Sequence, residues 1–442
     1  MGNLVAIIGR PNVGKSTLYN RLVGKRPSIV GDTPGITRDL HYGVSDWIGR
    51  SFTVIDTGGF TTFNAAGGIE EKMKDQIDVA ISEANLILFL VDCQSGLTEE
   101  DLAVADHLRK SKKGKPVLVV ANKADNKMLS FNIHLFHKLG LGKIYPVSAT
   151  HGTGTGDMLD TLMDLLPEEK PTPFVLAKHQ PPRISFIGRP NVGKSTFINA
   201  LLGKQRHIVH ATPHTTRTPA DSYYRLYQKE LILIDTAGIA KKKQTPPNSL
   251  TFYALLRSIR AIESSDVCVL VIKAQDGLTA QDKHILSLAY RKRKGMVLLV
   301  NQWDLMPKGK DNTNAYRKRL EPELAHISHL PLLFTSGQEK KNIFQTVETI
   351  LGVYAEKHKR IPTPKLNKVV QEIIDRNPLP TPKGKSLKIS YAVQLPGSYP
   401  IFAFFCNLPQ YIPTNYKRYL EKQLRAIFSF SGVPISLVFK QK

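Results

Sequence analysis

A chain of 442 residues has room for about three domains. Hydrophobic residues make up 41% of it, enough for several cores, yet no stretch approaches the roughly 18–20 uninterrupted apolar residues of a membrane span. The net charge of +24 points to a polyanionic partner such as RNA, against the alternative of a basic soluble protein whose lysines serve solubility.

Met1 runs almost directly into the apolar Leu4–Ile8, which leaves no room for a signal peptide. The next eight residues are Gly9-Arg10-Pro11-Asn12-Val13-Gly14-Lys15-Ser16, followed by Thr17 and a helix-like stretch. This is a phosphate loop, G-x-x-x-x-G-K-[ST], in its strand–loop–helix setting. Further apolar runs at Phe52–Ile55, Leu86–Val91, Val117–Val120 and Ile144–Val147 read as strands buried on both faces, with helical segments between them.

The pattern then repeats. Pro167 to Pro182 holds five prolines and no periodicity, as a linker does. Ile184–Ile187 leads into Gly188-Arg189-Pro190-Asn191-Val192-Gly193-Lys194-Ser195 and Thr196, the same loop letter for letter. Leu231–Ile234, Val267–Ile272, Met296–Val300 and Leu332–Phe334 follow in the same rhythm. Asp56-Thr57-Gly58-Gly59 is answered by Asp235-Thr236-Ala237-Gly238, and Asn122-Lys123-Ala124-Asp125 by Asn301-Gln302-Trp303-Asp304, each 179 residues on. Ser95-Gly96-Leu97-Thr98 returns as Asp276-Gly277-Leu278-Thr279. Each repeat is therefore a whole domain, and strands alternating with helices predict mainly parallel sheets with helices on both faces.

The last segment differs. Lys365–Asp375 reads as a helix, Lys388–Gln394 and Ile401–Phe405 as strands, Tyr411–Phe428 as a basic amphipathic helix and Ile435–Phe439 as a closing strand. The expected organisation is an α/β chain: nucleotide domains at 1–167 and 183–356, a linker at 168–182, and a small α+β module at 357–442.

The motifs define two nucleotide sites. Glycines let successive backbone N–H groups curl toward phosphate oxygens, and the helix behind adds its positive end. Lys15 and Lys194 are placed to reach the β- and γ-phosphates, and the hydroxyls of Ser16 and Ser195 to ligate Mg²⁺. Asp56 and Asp235 end buried strands, where a carboxylate is costly unless paired or near a metal. Thr37 and Thr216, also 179 apart, can cover that metal with a second hydroxyl. The two threonines join Lys15 and Lys194 as candidate catalytic residues. Gly59 and Gly238 can offer an N–H to a γ-phosphate, a hydrogen bond that exists only in the triphosphate state, which makes a switch. Asp125 and Asp304 select guanine, whose N1–H and amino group satisfy a carboxylate that adenine would leave unpaired. Asn122 and Asn301 hold the loops together. Ser148-Ala149 and Ser336-Gly337 bring backbone N–H groups to the far side of the base.

With these motifs in order, the chain resembles the Der (EngA) family of double-domain GTPases, bacterial ribosome-assembly factors, over essentially its whole length. The resemblance implies tandem P-loop GTPase domains followed by a KH-like module. It also implies GTP and GDP as ligands, and action on the large ribosomal subunit and its rRNA. It further implies a potassium ion held partly by Asn12 and Asn191; the alternative is that these asparagines only shape their loops. Phe60 and Ile239 stand where many GTPases place a water-orienting glutamine, so slow intrinsic turnover is expected.

The second repeat departs from the pattern. Gln302 replaces the lysine of the base motif, Lys273 the acid matching Asp92, His214 the position of Gly35, Thr218 that of Asp39, and Gly337 an alanine. A competing reading is thus a GTP-gated RNA-binding scaffold whose second domain holds nucleotide without efficient turnover. A P-loop ATPase or kinase fits poorly with two guanine-type motifs in register.

Charge is uneven: residues 1–170 carry 19 basic against 20 acidic side chains, 171–360 carry 30 against 14, and 361–442 carry 12 against 3. Lys241-Lys242-Lys243, Arg291-Lys292-Arg293-Lys294, Arg317-Lys318-Arg319 and the Lys417, Arg418, Lys422, Arg425 stripe with Tyr416 and Tyr419 are candidate RNA contacts; helix-end charges can equally be simple solvated faces. No G-x-x-G clamp is present, and Pro382-Lys383-Gly384-Lys385 is not one. Cys93, Cys268 and Cys406 lack metal-like spacing, so a cytoplasmic monomer without disulfides is expected.

Overall fold

The computed structural model describes residues 3–24, 41–48, 50–57, 78, 81, 84–111, 114–125, 132–167, 181–203, 222–226, 229–234, 250–307, 312–327, 329–380 and 386–441. These group into two compact units, 1–170 with 243–264, and 171–242 with 265–442.

The first unit is built on a six-stranded sheet of β1 (Leu4–Ile8), β2 (His41–Trp47), β3 (Arg50–Asp56), β4 (Leu86–Asp92), β5 (Val117–Asn122) and β6 (Ile144–Pro146), in the order β2-β3-β1-β4-β5-β6. All neighbours run parallel except the edge pair β2–β3. Side chains alternate between two cores, as the pleat requires. Val5, Ile7, Leu86, Leu88 and Leu90 pack on one face under α1 (Lys15–Val23) and α3 (Thr155–Leu165). Ala6, Ile8, Ile87, Phe89 and Val91 pack on the other under α2 (Glu99–Ser111). Burial on both faces is why these strands read as continuous apolar runs.

The second unit repeats the plan. α4 (Lys194–Leu202), α6 (Ala280–Arg291), α7 (Asn312–Leu320) and α8 (Ile343–His358) accompany a sheet of β7 (Arg183–Ile187), β8 (Ser222–Leu226), β9 (Lys229–Ile234), β10 (Val267–Lys273), β11 (Gly295–Asn301) and β12 (Leu332–Phe334). Its order, β12-β11-β10-β7-β9-β8, is the first sheet again, with β8–β9 the antiparallel edge. α5 (Leu250–Ser264) groups with the first unit.

β2 and β8 were not expected from the sequence. HYGVSDW and SYYRL are mixed in polarity, as an edge strand needs no apolar run.

The C-terminal module is a three-stranded sheet of β13 (Ile389–Leu395), β14 (Ile401–Cys406) and β15 (Ser436–Gln441), covered by α9 (Thr363–Arg376) and α10 (Thr414–Phe428). β13–β14 is antiparallel and β14–β15 parallel. The amphipathic region expected from Tyr411 becomes α10 only at Thr414, because Pro413 occupies its N-cap and cannot donate to a preceding turn. The helix lays Tyr416, Leu420, Leu424 and Phe428 on Phe402 and Phe404 of the sheet.

This module is bound into the second unit by backbone bonds. The Gly432 N–H donates to the His329 carbonyl at 2.7 Å, and the Met296 N–H, at the start of β11, donates to the Gly432 carbonyl at 2.7 Å. Val433 joins the core of the second sheet. The Phe430 N–H donates to Glu356 Oε2 at 2.9 Å, and Lys359 Nζ to the Phe428 carbonyl at 2.8 Å.

His329 sits in this junction with Nε2 enclosed and without a partner among the described residues. Burial, and secondarily the positive charge of Arg425, push its pKa down from 6.5 to about 3. The native state keeps the ring neutral while the unfolded chain takes up a proton below pH 6.5. The stability it contributes is therefore complete above pH 6.5 and falls as pH drops from 6.5 toward 3. Between pH 7 and pH 5 the second unit is expected to lose about 2 kcal/mol through this group. Denaturant unfolding at both pH values should show a smaller acid loss for His329→Phe; an equal loss would remove the histidine from the account.

Candidate functional site

In both repeats the carboxyl ends of the parallel strands carry the motif residues, and one asparagine organises them. At the end of β5, Asn122 Nδ2 donates to the Val13 carbonyl at 2.8 Å, and its Oδ1 accepts from the Ala149 N–H at 3.0 Å. At the end of β11, Asn301 Nδ2 donates to the Val192 carbonyl at 3.0 Å, and its Oδ1 accepts from the Gly337 N–H at 3.2 Å. Phosphate loop, base loop and the loop after the next strand are thereby held by a single carboxamide.

That contact dictates the second loop glycine. A Cβ on Gly14 would lie 2.2 Å from Asn122 Nδ2, and one on Gly193 would lie 2.3 Å from Asn301 Nδ2. Both glycines are also in the left-handed region, at φ 93 and 86. Gly337 has its own reason to differ from Ala149, since a Cβ there would sit 2.9 Å from the Phe197 nitrogen of α4.

The phosphate-loop lysines fold back on their own loops. Lys15 Nζ donates to the carbonyls of Gly9 and Arg10 at 2.8 and 2.7 Å, and Lys194 Nζ donates to those of Gly188 and Arg189. Burial is the main cause that lowers the Lys15 pKa below 10.5, with Arg10 adding to it and Asp56 opposing. Asp56 is fully buried at the end of β3, where the parallel register sets it beside Ile7. Ser16 Oγ donates to Asp56 Oδ2 at 2.6 Å. Two hard oxygen donors thus meet at the head of the phosphate loop, and this pair suits a magnesium ion. Pro11, Thr17 and Thr196 are exposed on the loops and first helical turns, Pro190 lies on the second loop, and Ser195 lies in the first turn of α4. Asn12 and Asn191 hold left-handed φ values of 65 and 64, a conformation asparagine tolerates well.

The base loop of the first repeat is fully tied. Lys123 Nζ donates to Asp92 Oδ2 at 2.6 Å, and Ser148 Oγ donates to Asp125 Oδ1 at 2.6 Å. The Ser148 hydroxyl is therefore a positioning group for the carboxylate, which its sequence pattern did not reveal. The Ser148 and Ala149 N–H groups, expected to face a base, donate here to the Thr153 carbonyl and to Asn122 Oδ1. In the second repeat, Gln302 has Oε1 enclosed without a partner among the described residues. Asp304 is the middle residue of a single 3₁₀ turn, Trp303–Leu305.

A second fixture also escaped the motif reading. Arg10 Nε lies 3.4 Å from Asp101, and its Nη2 meets Ser95 Oγ. Arg189 Nε lies 3.2 Å from Asp282, and its Nη2 3.0 Å from Asp276. Asp101 and Asp282 are fully buried, and each also accepts from the N–H and hydroxyl of Thr98 or Thr279. This capping box anchors the loop arginine to the helix after the fourth strand. The repeated Gly-Leu-Thr-x-x-Asp string was the available signal.

Thr37, Gly59, Phe60, Thr216, Asp235, Gly238, Ile239, His214, Thr218, the Lys241–Lys243 run and Pro382–Lys385 lie outside the described residues. All three cysteines are buried and free. No helix among the described residues is long and apolar enough to cross a membrane.

Comparisons with known proteins agree with this arrangement. Residues 4–123 and 183–302 match the family described as 50S ribosome-binding GTPase, and 360–440 match the KH-domain-like C-terminal domain of EngA bacterial GTPase enzymes. The chain is 48% identical to GTPase Der of Amoebophilus asiaticus over 446 residues, covering 100% of both chains. It is 46% identical to GTPase Der of Cytophaga hutchinsonii and 42% to that of Chlorobium phaeobacteroides, again covering 100% of both.

The asparagine junctions lead to one expectation. Asn122→Ala removes two buried hydrogen bonds and Asn301→Ala three, worth about 1 kcal/mol apiece. Each should weaken guanine-nucleotide binding at its own site by about 10- to 100-fold. Nucleotide titration of the two variants checks this; an unchanged affinity in either would deny that junction its role.

Proposed function

The chain belongs to the GTPase Der family of GTP-hydrolysing enzymes, and on that premise we propose that it is a GTP-driven switch in maturation of the large ribosomal subunit. The observation that carries the reading is the set of described groups gathered at the first site. Lys15, Ser16, Asp56, Lys123, Asp125 and Ser148 all stand at one edge of one sheet.

In this reading Lys15 leaves the carbonyls of Gly9 and Arg10 for the β- and γ-phosphates, trading two neutral acceptors for anionic ones. Burial is the main cause of the lowered Lys15 pKa, with Asp56 opposing it and Arg10 adding to it, and phosphate charge would favour the ammonium form. Ser16 and Asp56 would hold the Mg²⁺ that GTPases of this class use, with Thr37 as a further ligand, and the ion would neutralise phosphate charge. Asp125, steadied by Ser148, reads guanine. The second site employs Lys194, Ser195, Thr216, Asp235, Asn301 and Asp304 in the same roles. With Phe60 and Ile239 unable to orient water, Asn12 and Asn191 would help hold a K⁺ ion, which would supply the missing positive charge.

The basic second half provides the rRNA-facing surface, and Gly59 and Gly238 couple it to the nucleotide state. Neutral Gln302 supports a second reading, in which the second domain binds nucleotide without efficient turnover and the chain acts partly as a gated scaffold.

Co-sedimentation with isolated subunits at physiological salt tests the switch. Binding to the large subunit is expected with a non-hydrolysable GTP analogue and reduced with GDP; equal binding in every state would refute it. Turnover should be several-fold slower in Na⁺ than in K⁺. Equal rates would take the monovalent ion out of the mechanism.

A further inference from the structure

The two base loops are seated on their sheets by different forces. In the first repeat Lys123 Nζ donates to Asp92 at 2.6 Å, an ion pair between the loop and the end of β4. The second repeat carries Gln302 and Lys273 at those positions, and Gln302 Oε1 is enclosed without a partner among the described residues. Its loop is held instead through the next residue. The Trp303 N–H donates to the Thr335 carbonyl at 3.1 Å, as the Ala124 N–H does to that of Val147 at 3.2 Å, so Trp303 and Ala124 hold one place in the fold. Phe334 and Pro146, each one residue before those acceptors, correspond in the same way.

The small pair Ala124 and Pro146 is thus replaced by an aromatic cluster. The Trp303 ring lies 4.3 Å from that of Phe334 at the end of β12, and meets Tyr316 of α7 edge-on at 5.3 Å. Tyr316 and Phe334, both buried, meet edge-on at 5.8 Å and close the triangle. Such ring pairs attract beyond the area they bury. The cluster is itself fastened to the sheet. The Tyr316 hydroxyl donates to the Ala274 carbonyl just beyond β10 at 2.8 Å, and Arg317 donates to the Leu332 carbonyl at 2.9 Å with its guanidinium over Phe334. It also borders the anchor of the phosphate loop. Arg319 lies over the Tyr316 ring, and its Nη2 is 2.7 Å from where a Cβ of Gly277 would stand, next to the Asp276 that holds Arg189.

Asp304 follows Trp303 directly within the 3₁₀ turn. That turn is closed by the Leu305 N–H on the Gln302 carbonyl and the Met306 N–H on the Trp303 carbonyl, both at 3.2 Å. So short a turn passes the position of the ring on to the carboxylate beside it. We infer that Trp303, seated on Phe334 and Tyr316, is a positioning residue for guanine at the second site. It fixes Asp304 by aromatic packing, where the first repeat fixes its base loop with an ion pair. The inference rests on the reading that this site binds guanine nucleotide.

Calorimetric titration of the full-length chain tests it, with Asp125→Asn present throughout to remove guanine recognition from the first site. The probes are GDP and inosine diphosphate, which lacks the amino group that gives Asp304 its second hydrogen bond. Trp303→Ala should weaken GDP binding by about tenfold or more and inosine diphosphate binding by less, so the preference for GDP shrinks. Trp303→Phe should stay within about threefold of the parent, since a ring remains to pack on Phe334. Tyr316→Ala should shrink the preference as well, and combining it with Trp303→Ala should add less than about threefold, as a shared contact predicts. Trp303→Ala binding GDP as tightly as the parent would overturn the proposal. An equal loss for both nucleotides would overturn it too, since a purely structural role moves them together. If Trp303→Ala binds neither nucleotide, Tyr316→Ala decides: a reduced GDP preference supports the proposal and an unchanged one overturns it. A parent that binds no GDP would overturn the second-site reading and this inference together.

Discussion

Each nucleotide site of this chain depends on the seating of one carboxamide against one glycine. Asn122 reaches from the end of β5 to the Val13 carbonyl and accepts from Ala149, while Gly14 leaves the space its amide fills. Three loops that are far apart in the chain therefore share one rigid centre. The alternative, three independently mobile loops, would have to pay their ordering entropy when nucleotide binds. The parallel sheet beneath makes the arrangement possible by bringing the phosphate loop, Asp56 and the base loop to the same edge. That edge is where ligands bind in open α/β sheets.

Around this shared centre the two repeats have diverged in electrostatics and kept their geometry. The loop arginine is anchored in both by a buried aspartate that also caps the following helix. In the first repeat Lys123 pairs with Asp92, whereas the second repeat carries Gln302 and Lys273 at the matching positions. The junction of the C-terminal module adds a third constraint. Gly432 exchanges backbone bonds with His329 and Met296, and Val433 enters the core of the second sheet, so β11 supports both the base loop at its end and the module at its start. Folding of the module and order in the second site thus share a strand, which gives the basic C-terminal residues a fixed frame.

The duplicated loops, the 179-residue offset, the buried strands and the α+β tail were legible in the amino-acid sequence because they rest on local rules. A strand buried on both faces must be apolar throughout, and a phosphate cradle needs its glycines and lysine at set spacing. Family membership followed from those same motifs. The edge strands β2 and β8 were not legible, since pairing on one side leaves no apolar signature. The hydroxyl of Ser148 on Asp125, the anchoring of Arg10 by Asp101, and the need for glycine at 337 were hidden as well. Each depends on which side chains meet across long sequence separations, and that is decided only when the sheets close. The sequence determined the parts and the chemistry they can perform. The tertiary structure decided their partners, because a buried polar group takes its meaning from the atoms that enclose it.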